Sequence, residues 1–161
     1  MKDSRLIGVI GAAQPSESGY AVAREVGRLL GEAGAVLVCG GLGGVMEAAC
    51  RGCREAGGQT VGILPGTEAR EANPWVAIPI VTGMGHARNV IIAHSAKALI
   101  AVEGEYGTIS EMAIALKLGR LVVTLQPRHP LAGTRPAHTP AQAVSLALAG
   151  RDEDKEGFDA R

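Results

Sequence analysis

Apolar, β-branched runs alternate along this chain with stretches whose apolar residues recur every three or four positions. The runs are Leu6–Ile10, Ala35–Cys39, Thr60–Leu64, Val76–Val81, Ala98–Val102 and Leu121–Leu125. Most are apolar at nearly every position, which predicts strands covered by helices on both faces; a half-solvated strand would alternate. Between them, Val22, Val26, Leu29, Leu30 and Ala33 form one helical stripe ending near Gly34. Val45, Ala49, Cys53 and Ala56 form a second, ending at Gly57-Gly58, and Ile109, Met112, Ala113 and Leu116 a third, ending at Gly119. His86–Ala96 is a fourth helix with a weaker stripe. Thr139-Pro140-Ala141-Gln142 opens a fifth, with Thr139 as cap, Pro140 in the first turn and Gln142 completing a capping box.

Strand and helix in alternation predict an α/β protein: a three-layer, Rossmann-like fold with a mostly parallel sheet of about six or seven strands. Its 161 residues suit a single domain over residues 1–150. Arg151–Arg161 holds eight charges in eleven residues and reads as a flexible, solvated tail. Gln126–Pro140 carries four of the eight prolines and reads as a loop.

Composition narrows the function. Sixteen basic residues balance sixteen acidic ones, so no net positive field exists for nucleic acid or an anionic membrane. Trp75, Tyr20, Tyr106 and Phe158 are the only aromatics, too few for a base-stacking platform. Apolar runs are too short for a signal peptide or a membrane span. Three cysteines, an odd number, suit a reducing cytoplasm. Cys50-Arg-Gly-Cys53 has redox spacing but falls mid-helix with no second pair, so packing is the better reading, as it is for Cys39. No metal-ligand spacing occurs and no cofactor is called for.

In open α/β sheets ligands bind beyond the carboxyl ends of the strands, so the strand-to-helix connections carry the chemistry. The first, from Gly11 and Ala12 to Gly19, lacks the dinucleotide G-x-G-x-x-G pattern, and no Walker motif occurs anywhere; a plain turn with Ser16 or Ser18 as helix cap competes with a ligand role. After the second strand, Gly40-Gly41-Leu42-Gly43-Gly44-Val45-Met46 places four glycines in five residues before a helix. Such a loop can turn its amides toward an anion at the helix N-terminus, whereas a tight turn accounts for only one or two glycines. After the fourth strand, Arg88 and Asn89 open a helix; a cation facing the positive end of a helix dipole is best explained by an anionic partner, the competing reading being an arginine turned back to solvent. After the fifth strand comes Glu103-Gly104-Glu105-Tyr106-Gly107-Thr108, with Glu111 spaced from Thr108 as in a capping box, a purely structural role.

Together these segments resemble the LOG (lonely guy) family, long mislabelled as lysine decarboxylases. The resemblance rests on Gly40-Gly-Leu-Gly-Gly-Val-Met46, Gly62-Ile-Leu-Pro-Gly66, Met84-x-x-x-Arg88-Asn89 and Gly104-x-Tyr-Gly-Thr-x-x-Glu111, in that order across residues 5–125. It implies a Rossmann-like homo-oligomer, dimer or tetramer, that hydrolyses a nucleoside 5′-monophosphate to base and ribose 5-phosphate. On that resemblance Arg88 and Glu111 match the catalytic pair, and Gly41, Gly43, Gly44, Gly107 and Thr108 match the phosphate loops. Glu111 would stabilise an oxocarbenium-like transition state or activate water. Glu103, Glu105 and Glu47 depart from the family pattern and look more like a sister group that includes the molybdenum cofactor carrier proteins, which bind a pterin phosphate and need not hydrolyse anything. Unpaired, Glu103 and Glu105 would repel a nearby phosphate.

Two readings therefore stand: a phosphoribohydrolase, and a non-catalytic carrier or sensor of a nucleotide or pterin phosphate. His86, beside Arg88, is within reach of a ligand, His94 fits a helix face, and Arg128, His129, Arg135 and His138 read as a mobile loop rather than a lid. The apolar Val90-Ile91-Ile92 segment is the expected dimer face.

Overall fold

The structure is a computed structural model that describes residues 5–150; the charged segment expected as a tail, Arg151–Arg161, lies outside the described residues. Seven parallel strands form one sheet: β1 (Leu6–Gly11), β2 (Val36–Cys39), β3 (Gln59–Leu64), β4 (Ile78–Val81), β5 (Ala98–Val102), β6 (Leu121–Leu125) and β7 (Arg135–Pro136), in the order β4-β3-β2-β1-β5-β6-β7. The connecting helices are α1 (Glu17–Glu32), α2 (Val45–Glu55), α3 (Arg88–Ser95), α4 (Tyr106–Lys117) and α5 (Pro140–Ala149). The three-layer α/β fold is thus the one its sequence predicts.

Successive residues of a strand face opposite layers, and the core divides accordingly. Ile7 and Val9 of β1, Ala98 and Ile100 of β5, and Val123 of β6 pack with α1, α2 and α5. Ile10, Leu99, Ala101 and Val122 point the other way, against Ile92 of α3 and Met112 and Ala115 of α4. Burial on both faces is why β5 and β6 read as continuous apolar runs. Helices α1 and α2 approach closely: a Cβ on Gly27 would stand 1.9 Å from the Ala49 carbonyl oxygen, and one on Gly52 the same distance from that of Arg24.

Four expectations are corrected. Strand β4 is not covered on both faces; it lies at the sheet edge and all four of its residues are exposed. Its start is also later than Val76, because the Thr60 hydroxyl donates to the Trp75 carbonyl and accepts from the Ala77 amide, holding that stretch off the sheet. The fourth helix begins at Arg88, behind a 3-10 turn at Gly85–Ala87. Within it Val90 is exposed, Ile91 half-buried and Ile92 fully buried. Lastly, the proline-rich connection contains β7, paired to Val123 and Thr124.

Candidate functional site

Strand order reverses between β1 and β5, leaving a crevice beyond their carboxyl ends. A cavity of about 490 Å³ fills it. Ile10, Gly11, Ala12, Ala13 and Gln14 form one wall as β1 runs out; Glu105, Gly107, Thr108 and Glu111 form the facing wall, from the connection after β5 into α4. Met46 enters from α2, His86, Arg88 and Asn89 from the start of α3, and Arg128 from the connection after β6.

Eight of the sequence-derived site residues line this cavity: Gly11, Ala12, Met46, Arg88, Asn89, Gly107, Thr108 and Glu111. The other six are placed around it. Gly41 and Gly44 have φ of 77° and 68°, and a Cβ on Gly44 would lie 2.4 Å from the carbonyl oxygens of both Ala12 and Ala13. The Val45 amide donates to Ala12 O at 3.0 Å, tying α2 to the first connection. Gly43 leads into that turn, Gly104 turns the chain with φ 115°, and Tyr106 is 83% exposed. Glu105, expected there only as a repelling charge, also lines the cavity, as do Arg128, Ala13 and Gln14, which the motifs do not single out. Residues 13 and 14 are legible only as part of the first connection, and nothing local marks Arg128.

The helix starts explain what this crevice offers. Ser16 caps α1 by accepting from Gly19 N, and Thr139 caps α5 by accepting from Gln142 N. By contrast α2, α3 and α4 begin at Gly44, Ala87 and Glu105 with no side-chain cap. The expected Thr108–Glu111 capping box does not form, because α4 starts earlier, at Tyr106; Thr108 sits inside the first turn and Glu111 one turn further along. The three helices without caps all border the cavity with first-turn residues, so the positive ends of three helix dipoles meet at one space.

Arg88 is buried rather than turned to solvent. Its Nε donates to Ile63 O at 2.8 Å and Nη2 to Gly40 O at 3.4 Å, while Nη1 donates to the Asn89 side-chain oxygen. Burial depresses its pKa and the nearby Glu111 opposes that shift. Glu111 is 8% exposed, and no hydrogen bond or ion pair reaches its carboxyl among the described residues. Burial pushes its pKa from 4.5 up to about 7, against the lowering field of Arg88.

Glu103 and Glu105 are paired, which removes much of the repulsion expected of them. Glu103 accepts from the Ser16 amide at 3.1 Å and from the Ser16 hydroxyl. Its burial favours the neutral acid, but these bonds and Arg128 outweigh that and hold its pKa below the usual carboxylate range. Arg128 bridges it to Glu105, at 3.2 and 2.7 Å. His129 reaches Glu105 at 3.2 Å and stacks on Tyr106. The segment read as a mobile loop is therefore tied down at its start.

Below the first glycine loop, Cys39 Sγ lies 3.5 Å from Cys50 Sγ and accepts from the Gly41 amide at 3.3 Å. These thiols and Cys53 are buried in the core, as their positions in the chain suggest. Asn73 anchors the loop from its other side: its amide donates to Gly41 O at 2.8 Å and its Nδ2 to Leu42 O at 2.9 Å. Among the described residues no helix is long and apolar enough to cross a membrane.

The chain is 34% identical to the molybdenum cofactor binding protein from the phototrophic bacterium Rippkaea orientalis, whose structure superposes with a TM-score of 0.87 over 92% of this chain and 98% of that one. It is 38% identical to the molybdenum cofactor carrier protein of Chlamydomonas reinhardtii, with a TM-score of 0.79 over 89% and 95% of the two chains. An uncharacterized protein of Archaeoglobus fulgidus is 51% identical over 142 residues, 88% of this chain and 93% of its own. A family model matches residues 4–150, spanning every element that borders the cavity: the chain belongs to the SLOG cluster4 family.

Proposed function

We propose that this protein is a non-catalytic carrier or sensor of a phosphorylated pterin ligand of the molybdenum cofactor class. The observation that carries the reading is the meeting of two N-terminal helix turns without side-chain caps, at Met46 of α2 and at Gly107 and Thr108 of α4, on one cavity. Amides and dipoles so arranged attract a phosphate. A cavity of about 490 Å³ is ample for a pterin-sized body. The similarity to cofactor-binding proteins at 34% and 38% identity supports the same ligand class.

The catalytic pair is arranged less well for hydrolysis. The Arg88 donors are directed to Ile63 O, Gly40 O and Asn89 rather than to Glu111. With its pKa raised to about 7 by burial, Glu111 holds its proton more readily than an ordinary carboxyl, and only its ionised form stabilises an oxocarbenium ion. That same value suits a general acid or base, which keeps the phosphoribohydrolase as the second reading. We also propose a homo-oligomer, with exposed Ile78, Ile80 and Val81 of β4 in contact with another copy.

Incubation with AMP, followed by chromatography for free adenine, separates the two functions. A carrier releases none and is stabilised thermally by a pterin phosphomonoester, by about 2.7 kcal/mol at 100 times its dissociation constant. Catalytic adenine release would replace this reading with the hydrolase.

A further inference from the structure

The connection after β6 delivers Arg128 to the cavity wall, where its guanidinium spans two carboxylates: Nη1 donates to Glu105 at 2.7 Å and Nη2 to Glu103 at 3.2 Å. The two acids differ in what else holds them. Glu103 is 7% exposed and keeps the amide and hydroxyl of Ser16. Glu105 is exposed, and its side-chain partners among the described residues are Arg128 and His129, both from this one connection. It also stands at the N-cap of α4, adjoining the turn whose Gly107 and Thr108 open on the cavity.

A phosphate drawn to that turn comes against the Glu105 carboxylate and beside the Arg128 fork. The exposed pair with Glu105 is the weak one. A phosphomonoester dianion offers the same planar donors more charge and more acceptor oxygens. From this juxtaposition we infer that Arg128 is an anion-recognising residue of the cavity, and that its bond to Glu105 is the contact a phosphate ligand replaces. Glu103 keeps the other edge of the guanidinium, so the exchange needs a change of partner and not a displaced loop. Glu105 thereby sets a threshold: an anion no stronger than a carboxylate gains little by competing, and a dianion gains more. This inference rests on the reading of the cavity as a phosphate-ligand site.

Calorimetric titration tests it, at constant ionic strength, with inorganic phosphate and separately with a pterin phosphomonoester. The proteins are the wild type, Arg128→Ala, Arg128→Lys, Glu105→Gln and the Glu105→Gln/Arg128→Ala double variant. Loss of the charged fork weakens phosphate about tenfold or more, with Arg128→Lys between it and wild type. Glu105→Gln alone tightens phosphate several-fold. In the Arg128→Ala background it changes binding less than about twofold, because the competitor acts through the missing arginine. If Glu105 merely repelled the anion, its removal would help equally in both backgrounds, and the exchange would be refuted. Unchanged phosphate affinity in both Arg128 variants, each shown to be folded by its melting transition, overturns the inference, as does a wild type that binds no phosphate. Arg128-dependent phosphate binding without pterin binding leaves the inference standing and removes the proposed function; pterin binding indifferent to Arg128 does the reverse.

Discussion

Glu111 and Arg88 share the cavity, and each feels the other's charge, yet no hydrogen bond joins them. Each is buried. The arginine is satisfied by backbone carbonyls and Asn89, and the acid by nothing among the described residues. A buried carboxyl in that position prefers to keep its proton.

Stability should therefore carry a signature of Glu111. Its pKa lies near 4.5 in the unfolded chain and about 7 in the native one, so between these values the native state holds a proton that the unfolded chain has lost. Stabilisation relative to the ionised form is complete below 4.5 and lost as pH rises through 7. The difference amounts to roughly 3 kcal/mol at most. Urea denaturation across pH 4–8 should show wild type losing ground to Glu111→Gln as pH increases. Parallel curves for the two proteins would contradict the assignment.

Arg88→Met removes the donors to Ile63 O and Gly40 O and the contact with Asn89. Its expected cost is about 2–4 kcal/mol, since buried carbonyls lose their partners. The same change removes the positive field that holds down the proton affinity of Glu111, so the carboxyl pKa should rise further, as read by carbon-13 NMR titration.

Two glycines beside the cavity should respond oppositely to alanine. Gly44 has φ 68° and its added Cβ would crowd two carbonyl oxygens at 2.4 Å, so Gly44→Ala should cost about 1–3 kcal/mol or more. Gly107 lies in the first turn of α4 and its Cβ would meet nothing within 4 Å, so Gly107→Ala should leave the melting temperature unchanged or raise it slightly. Its methyl would instead encroach on the cavity, and phosphate binding should weaken.

Asn73→Ala removes the side-chain bonds to Leu42 O and from the Trp75 amide. About 1–3 kcal/mol of stability should be lost. Amide hydrogen exchange should quicken over residues 41–44 before it does in the central strands, because the loop loses an anchor while the sheet keeps its ladder.

Much of this architecture can be read directly from residue order. A strand buried on both faces is apolar at nearly every position, and β1 and β5 are throughout, β6 at all but Thr124. Capping oxygens at Ser16 and Thr139 mark two helix starts correctly, because capping is a contact between residues three apart. The glycine loops are legible for a like reason: backbone conformation is a local demand. The Thr108–Glu111 spacing misleads because the same interval that makes a capping box also puts two residues on one helix face, and only the true start of α4 distinguishes them.

What tertiary structure alone decided is partnership. Ser16 meets Glu103 across 87 positions, and Arg128 meets Glu103 and Glu105 across 25 and 23. The apolar run of β4 looks like that of a central strand, and only the strand order leaves it at an exposed edge. Periodicity and capping signals are short-range, so residue order alone determined six strands, five helices and their alternation, but not β7, which exists only by pairing to β6. Ion pairing, the burial of Arg88 and the raised pKa of Glu111 depend on which segments the sheet brings together, and no local pattern encodes that.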